Sequence, residues 1–294
     1  MKNEFELPYE SVKFKEGSHV KWFINTEADS YGAHWHVPME IIMPLENGYV
    51  VVCGGVRREL NEGDIALVAP GAVHELEAPL WGRRLFLQAD LSCFTEIREL
   101  DILFSLLPPL VVFEKEHKEN GYDEAARCME TIHREQVSGG FYGELSVYAE
   151  LFRMLSLAGR YFVHARAADV QNRPNARRYE ERILSSCDYV NEHLSEPLTL
   201  EQAARASGFS KYHFAHLFRE FMGISFYRYL NRKRIMNAQR LLADPDCSVT
   251  EAAMQSGFTS ISSFNRMFRQ IKGCTPTEYR GIYLHAQMTQ TVSS

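Results

Sequence analysis

Hydrophobic and polar positions follow two different periods along this chain, and the change of period divides it. From about residue 5 to residue 94, short runs of β-branched and aromatic residues occur at 20–24, 40–43, 49–53, 65–68 and 84–88. Asn47-Gly48, Gly54-Gly55, Asn61-Glu62-Gly63 and Pro70-Gly71 stand between them, residue types that tolerate the backbone angles of tight reversals. Many short strands at this spacing predict a sandwich or barrel. From 92 the period becomes helical, and that run stops at Pro108-Pro109, where proline cannot continue a helix.

Two further helices are expected at about 122–137 and 142–164, separated by Ser138-Gly139-Gly140. The second carries Leu145, Tyr148, Leu151, Phe152, Leu155 and Phe162 as a broad apolar stripe, which must pack on the barrel or on a second subunit. Periodicity is lost over 165–178, the best linker, and helical character returns at Tyr179.

One pattern is then written twice. Residues 199–225 read TLEQAARASGFSKYHFAHLFREFMGIS, and residues 249–275 read VTEAAMQSGFTSISSFNRMFRQIKGCT. Each copy has an Ala-Ala pair, a Ser-Gly-Phe step at Gly208 or Gly257, and a helical run ending at Gly223 or Gly273. Small residues let two helices cross closely, and the glycine supplies the positive φ that a sharp turn needs. Each copy therefore predicts a helix-turn-helix unit. Ser210 in one copy, and Thr259 or Ser260 in the other, are the expected N-caps of the second helix. Phe214, Leu217, Phe218 and Phe221 fall on one helical face, as do Phe264, Met267, Phe268 and Ile271. The opposite faces carry Lys211, Tyr212, His213, His216 and Arg219, or Ser262, Ser263, Asn265, Arg266 and Arg269, groups suited to base edges and phosphates. The helix expected over 226–243 spans about 27 Å, enough to hold two such units near one turn of duplex apart. Its Arg234 suits either a junction between the units or a phosphate contact.

Charge supports the division. The net charge is −6, but residues 175–285 hold 15 Lys and Arg against 11 Asp and Glu, while the remainder holds 17 against 27. A mildly basic C-terminal unit follows an acidic N-terminal one. The six cysteines form no CxxC pair, which argues against a zinc module or disulfide framework and fits a reducing compartment. No cationic leader with an apolar run and no bilayer-length apolar stretch is present, so a cytoplasmic protein without membrane contact is expected.

The strand-rich half contains His34-Trp35-His36-Val37-Pro38-Met39-Glu40, then Gly63-Asp64 and Pro70-Gly71-Ala72-Val73-His74. These motifs resemble those of the cupins, small jelly-roll barrels, with Ala69 standing where a proline is usual. His34 and His36 share one face of an extended strand. With Glu40 and His74 they would complete a three-histidine, one-carboxylate set for a divalent metal. The same four residues could instead grip a polar ligand without metal, or serve the core alone. Trp22, Trp81 and Tyr31 are aromatic walls suited to a sugar, or ordinary core.

The double repeat, its connecting helix and Gly273-Cys274-Thr275-Pro276-Thr277-Glu278-Tyr279-Arg280 resemble the DNA-binding domain of the AraC/XylS family over about 180–283. The cupin-like half resembles that family's usual sensor. The resemblance implies a bacterial transcription regulator, usually an activator, with double-stranded operator DNA, RNA polymerase, a small-molecule effector and a second copy of itself as partners. It places Lys211, Tyr212, Ala215 and His216 of the first unit, and Ser262, Ser263, Asn265 and Arg266 of the second, towards DNA.

The expected fold is α+β. A cupin-like effector-sensing barrel occupies 1–110, a helical segment suited to dimerisation 111–165, a linker 166–178, an all-α double helix-turn-helix domain 179–285 and a tail 286–294. The expected protein is a ligand-responsive DNA-binding regulator and not an enzyme. Its DNA-facing set is Ser210, Lys211, Tyr212, Ala215, His216, Arg219, Ser262, Ser263, Asn265 and Arg266. Its effector or metal set is His34, His36, Glu40 and His74, for a small polar molecule such as a carbohydrate or a divalent ion. The alternatives are a metal-dependent cupin enzyme with an accessory DNA-binding domain, and a metal-sensing regulator.

Overall fold

The computed structural model describes residues 10–163 and 175–281, apart from Glu16, Glu27, Asp29, Pro79, Thr95 and Glu96. It divides into two compact units, one ending at Phe162 and the other running from Val163. Most of the expected linker, and the tail, lie outside the described residues.

The first unit is built on nine strands: β1 (Val20–Asn25), β2 (Tyr31–His34), β3 (Met39–Pro44), β4 (Tyr49–Cys53), β5 (Val56–Leu60), β6 (Ile65–Val68), β7 (His74–Glu77), β8 (Arg84–Ala89) and β9 (Leu110–Phe113). They form two antiparallel sheets, ordered β1-β8-β3-β6-β9 and β2-β7-β4-β5. Ile42, Ala66, Val68 and Phe86 of the first sheet bury against Tyr49, Val51, Leu60 and Leu76 of the second. Each such side chain withdrawn from water contributes roughly 1.5–3 kcal/mol. The expected barrel is therefore a jelly-roll sandwich of two sheets, with no closing ladder between them among the described residues.

The expected helical segment also needs correction at its start. Residues 111–113 pair with β6, Ala66 opposite Val112 and Leu67 opposite Val111. Leu110-Val111-Val112-Phe113 is too apolar and β-branched to stay outside the core after Pro108-Pro109, and it closes the edge of the sheet. Helices α1 (Arg98–Leu106), α2 (Tyr122–Ser138) and α3 (Gly143–Ala158) complete the unit. Leu151 and Leu155 of the α3 stripe are buried, while Tyr148 and Phe152 pack their rings on Phe94. Leu145 stays exposed with Val137, Phe141 and Tyr142 around the α2–α3 turn.

The second unit is all-helical: α4 (Ala176–Glu192), α5 (Leu200–Ala206), α6 (Lys211–Met222), α7 (Phe226–Leu242), α8 (Val249–Gln255) and α9 (Ile261–Lys272). Helices α5 and α8 start in matching capping boxes, Thr199 with Gln202 and Ser248 with Glu251. Such a cap contributes about 1 kcal/mol, and its S/T-x-x-E/Q signature is legible in both copies. Ser260 caps α9 through the Ser263 amide, whereas Ser210 holds the N-cap position of α6 without a side-chain cap bond.

Candidate functional site

Each repeat folds as a short helix, a glycine turn and a longer helix. Ala203-Ala204 of α5 and Ala252-Ala253 of α8 are buried, and such small side chains let the second helix of each unit approach closely. Gly208 and Gly257 turn at φ 67° and 83°. Phe214, Leu217, Phe218 and Phe221 of α6 form its buried face, as do Phe264 and Phe268 of α9.

Helix α7 carries both units. At its start Phe226 meets the rings of Phe214 and Phe218, and further along Asn237 Nδ2 donates to Ser256 Oγ at 3.4 Å. Of its cations, Arg228 and Arg240 are exposed, while the others are held in the packing. Lys233 is buried, and burial followed by the nearby Arg228 holds the Arg232 pKa below its ordinary value. Arg234 donates to the carbonyls of Leu194 at 3.2 Å and Glu196 at 2.7 Å, and it faces the Phe258 ring. The structural reading of Arg234 prevails over a phosphate contact. Arg182 of α4 bonds the first glycine turn directly, donating to the carbonyls of Ser207 and Gly208 and lying 3.7 Å from the Phe209 ring centroid. Arg234 instead packs beside the second turn while bonding the Leu194–Glu196 segment.

The outward faces hold what the repeat pattern placed there. Ser210, Lys211, Tyr212, His216 and Arg219 are exposed around α6, with Ala215 half-buried; Tyr212 is 86% exposed, unusual for so large a ring. Ser262, Asn265 and Arg266 are exposed on α9, and Ser263 is half-buried with its amide bonded to Ser260. Lys211 lies 3.8 Å from Glu201, and His216 lies 3.7 Å from Glu220, so both side chains are loosely held. His213 is turned among the Tyr179 and Phe209 rings.

In the N-terminal unit the four singled-out residues meet between the sheets. His34 on β2 pairs with His74 on β7, and Glu40 on β3 pairs with Gln88 on β8. All are at most 8% exposed. Each imidazole turns Nδ1 to a carbonyl two residues away: His34 to Gly32 at 2.8 Å, His36 to Pro38 at 2.9 Å and His74 to Ala72 at 2.9 Å. An N–H on Nδ1 leaves Nε2 with a lone pair, the tautomer that suits a metal ligand. The three histidines offer ligand atoms within 4.8 Å of one another. Glu40 lies against two of them, Oε2 at 3.3 Å from His74 Nε2 and Oε1 at 3.6 Å from His36 Nε2. Nε2 of His36 and His74, Oε2 of Glu40 and Oε1 of Gln88 are buried without a hydrogen-bond partner. Unsatisfied buried polar atoms are costly, so these need either a proton held between histidine and carboxylate or a ligand that the cluster does not itself supply.

Electrostatics sharpen the picture. Burial raises the Glu40 carboxyl pKa, but the adjoining His36 and His74 side chains outweigh it and hold it far below the carboxylate range. Burial opposes charge on His36, yet Glu40 keeps its pKa above the ordinary 6.5. His34 falls below that value through burial and the neighbouring His74. The periodic pattern did not reveal Gln88, whose Nε2 donates to Glu40 Oε1 at 2.8 Å, or Glu10, 3.5 Å from His34 Nε2. Separations this short leave room among the four side chains for one ion and not for a sugar ring. Of the expected aromatic walls, Tyr31 stands beside the cluster, its ring centroid 6.4 Å from that of His34, whereas Trp22 stacks on His133 and Trp81 is largely exposed.

Comparison with known proteins bears on the C-terminal unit. Residues 203–282 match a family model described as a helix-turn-helix domain. An uncharacterized HTH-type transcriptional regulator of Staphylococcus aureus is 35% identical over 102 residues, 35% of this chain and 14% of the relative. The regulatory protein PocR of Salmonella typhimurium is 35% identical over 102 residues and 34% of its length. The chain thus spans well under half the length of these curated relatives. Among solved structures, the DNA-binding domain of AdpA in complex with a target DNA is 32% identical over 35% of this chain and 92% of its own, with a TM-score of 0.34. ToxT from Vibrio cholerae is 16% identical over 92% of this chain and 99% of its own, with a TM-score of 0.47.

Proposed function

We propose that this chain, whose C-terminal unit is a helix-turn-helix domain of the AraC/XylS type, regulates transcription by laying α6 and α9 in the major groove of one operator. The observation that carries this is the duplication itself. Two units share α7 and present exposed polar side chains on equivalent helices, as base reading and phosphate contact require. Helix α7 has 17 residues and so extends about 26 Å, which suits two readers on one face of a duplex. Lys211, Tyr212, Ala215, His216 and Arg219 would serve the first half-site, with the α6 N-terminus at Ser210 against the backbone. Ser262, Ser263, Asn265 and Arg266 would serve the second.

Selection from a random duplex library with the full chain tests this. A single enriched motif with two half-sites, bound more weakly as salt rises, is the expected result. Recovery of unrelated sequences at moderate salt would exclude the role.

The N-terminal unit is the sensing half in this reading, and the orphaned Nε2 and carboxylate atoms favour a divalent metal over a sugar at its buried cluster. His34, His36 and His74 would hold the ion, with Glu40 as the anionic ligand and Gln88 orienting that carboxylate. When bound, the ion would supply a fixed positive charge that satisfies the cluster and joins the two sheets. Elemental analysis of protein purified without added metal should find about one equivalent, lost in His36→Ala; operator binding that responds to the metal would identify a metal-sensing regulator. Exposed Val137, Tyr142 and Leu145 at the α2–α3 turn favour a second copy as partner, which sedimentation of Leu145→Lys beside the wild type would test.

A further inference from the structure

A separate cavity in the N-terminal unit has the size and charge of a small-molecule site. It measures about 550 Å³, inside the range of roughly 300–1,000 Å³ usual for ligand pockets. One wall comes from β1 and the segment before it, through Lys13, Lys15, Lys21 and Trp22, and the other from the α2–α3 hairpin, through Glu135 and Phe141.

Three ammonium groups border this one space, and none of them forms an ion pair among the described residues. Lys21 Nζ lies 5.0 Å from the Phe23 ring centroid, a partial substitute for an anion. Of the two carboxylates in the walls, Glu144 is engaged, accepting from the His19 amide at 2.8 Å. Among the described residues that line it, three lysines against two glutamates leave a single positive charge. Apolar surface faces the same space. The Trp22 ring stacks on His133, centroids 5.4 Å apart, and Phe141 at the rim is 97% exposed. A ring so fully in water gains by covering a bound apolar body.

We propose that this cavity binds an aromatic monocarboxylate, its carboxylate among Lys13, Lys15 and Lys21 and its ring against Trp22 and Phe141. The site is distinct from the buried histidines, and its assignment does not depend on the DNA-reading role because binding alone reads it out.

Calorimetric titration of the full chain at low ionic strength tests it, with benzoate, phenylacetate, indole-3-acetate and 1-naphthoate, each beside its amide. At least one carboxylate should bind with one site per chain, about ten-fold or more tighter than its amide, and weaken as salt rises. The double variant Lys15→Ala, Lys21→Ala should lose about ten-fold or more in affinity with an unchanged thermal transition, since both lysines are solvent-accessible. Equal binding of acid and amide, no binding by any of the four acids, or a double variant that binds unimpaired would each overturn the proposal.

Discussion

The Arg234 guanidinium occupies the space that a side chain on Gly257 would need. A Cβ there would lie 2.8 Å from Arg234 Nε and would overlap the Leu194 carbonyl oxygen. At Gly208 the obstacle is only the end of the Arg182 side chain, which can swing away. Both glycines hold positive φ, so alanine at either costs about 1–3 kcal/mol in backbone strain. Gly257→Ala should therefore destabilise more than Gly208→Ala, because a backbone carbonyl cannot move aside. Denaturant melts of the two variants measure the difference; equal midpoints would contradict the packing described.

Base reading and phosphate contact separate by mutation. Arg266→Ala should cost about 1–3 kcal/mol on the selected operator and little on random duplex, if the guanidinium meets a base edge. Lys211→Ala should weaken both alike and lower the salt slope by about one. Titrations at three salt concentrations distinguish the two patterns.

In metal-free protein the histidines should titrate apart. His36 is held above 6.5 and His34 below it, and NMR of the labelled imidazoles reads both. Glu40→Gln removes the charge that opposes desolvation, so His36 should then move down. The sign for stability follows. A raised pKa means that the His36–Glu40 contribution is complete below 6.5 and is lost as pH rises through the folded-state value. Glu40 is depressed, so its own contribution is present above about 4.5 and fades only as pH falls towards its folded-state value.

Thiol chemistry provides a check on packing. Burial pushes Cys53 and Cys128 up to about 12 and Cys274 to about 11. All three, and Cys187, are buried. At pH 8 in native buffer these four should resist a thiol-specific alkylating reagent and react fully in denaturant, as peptide mass mapping would show. Rapid native labelling of any of them would mean that the unit holding it opens readily.

Periodicity and turn chemistry, read from residue order alone, determined the strand-rich half, the double repeat and the helix between its copies. These features are local: a buried face repeats every second residue in a strand and every three or four in a helix, whatever lies opposite. Strand β5, Val56–Leu60, escaped because all but its last residue are exposed, leaving no apolar alternation to read. The motif spacing also marked His34, His36, Glu40 and His74. That His34 faces His74, that Gln88 faces Glu40, and that four ligand-type side chains meet in one buried place depended on how distant strands pair. Arg234 showed the same limit, equally suited in sequence to a phosphate or a junction until the Leu194 and Glu196 carbonyls were found beside it. Sheet register and helix crossing are set by the packing of the whole unit, and no local period encodes which distant residue will stand opposite.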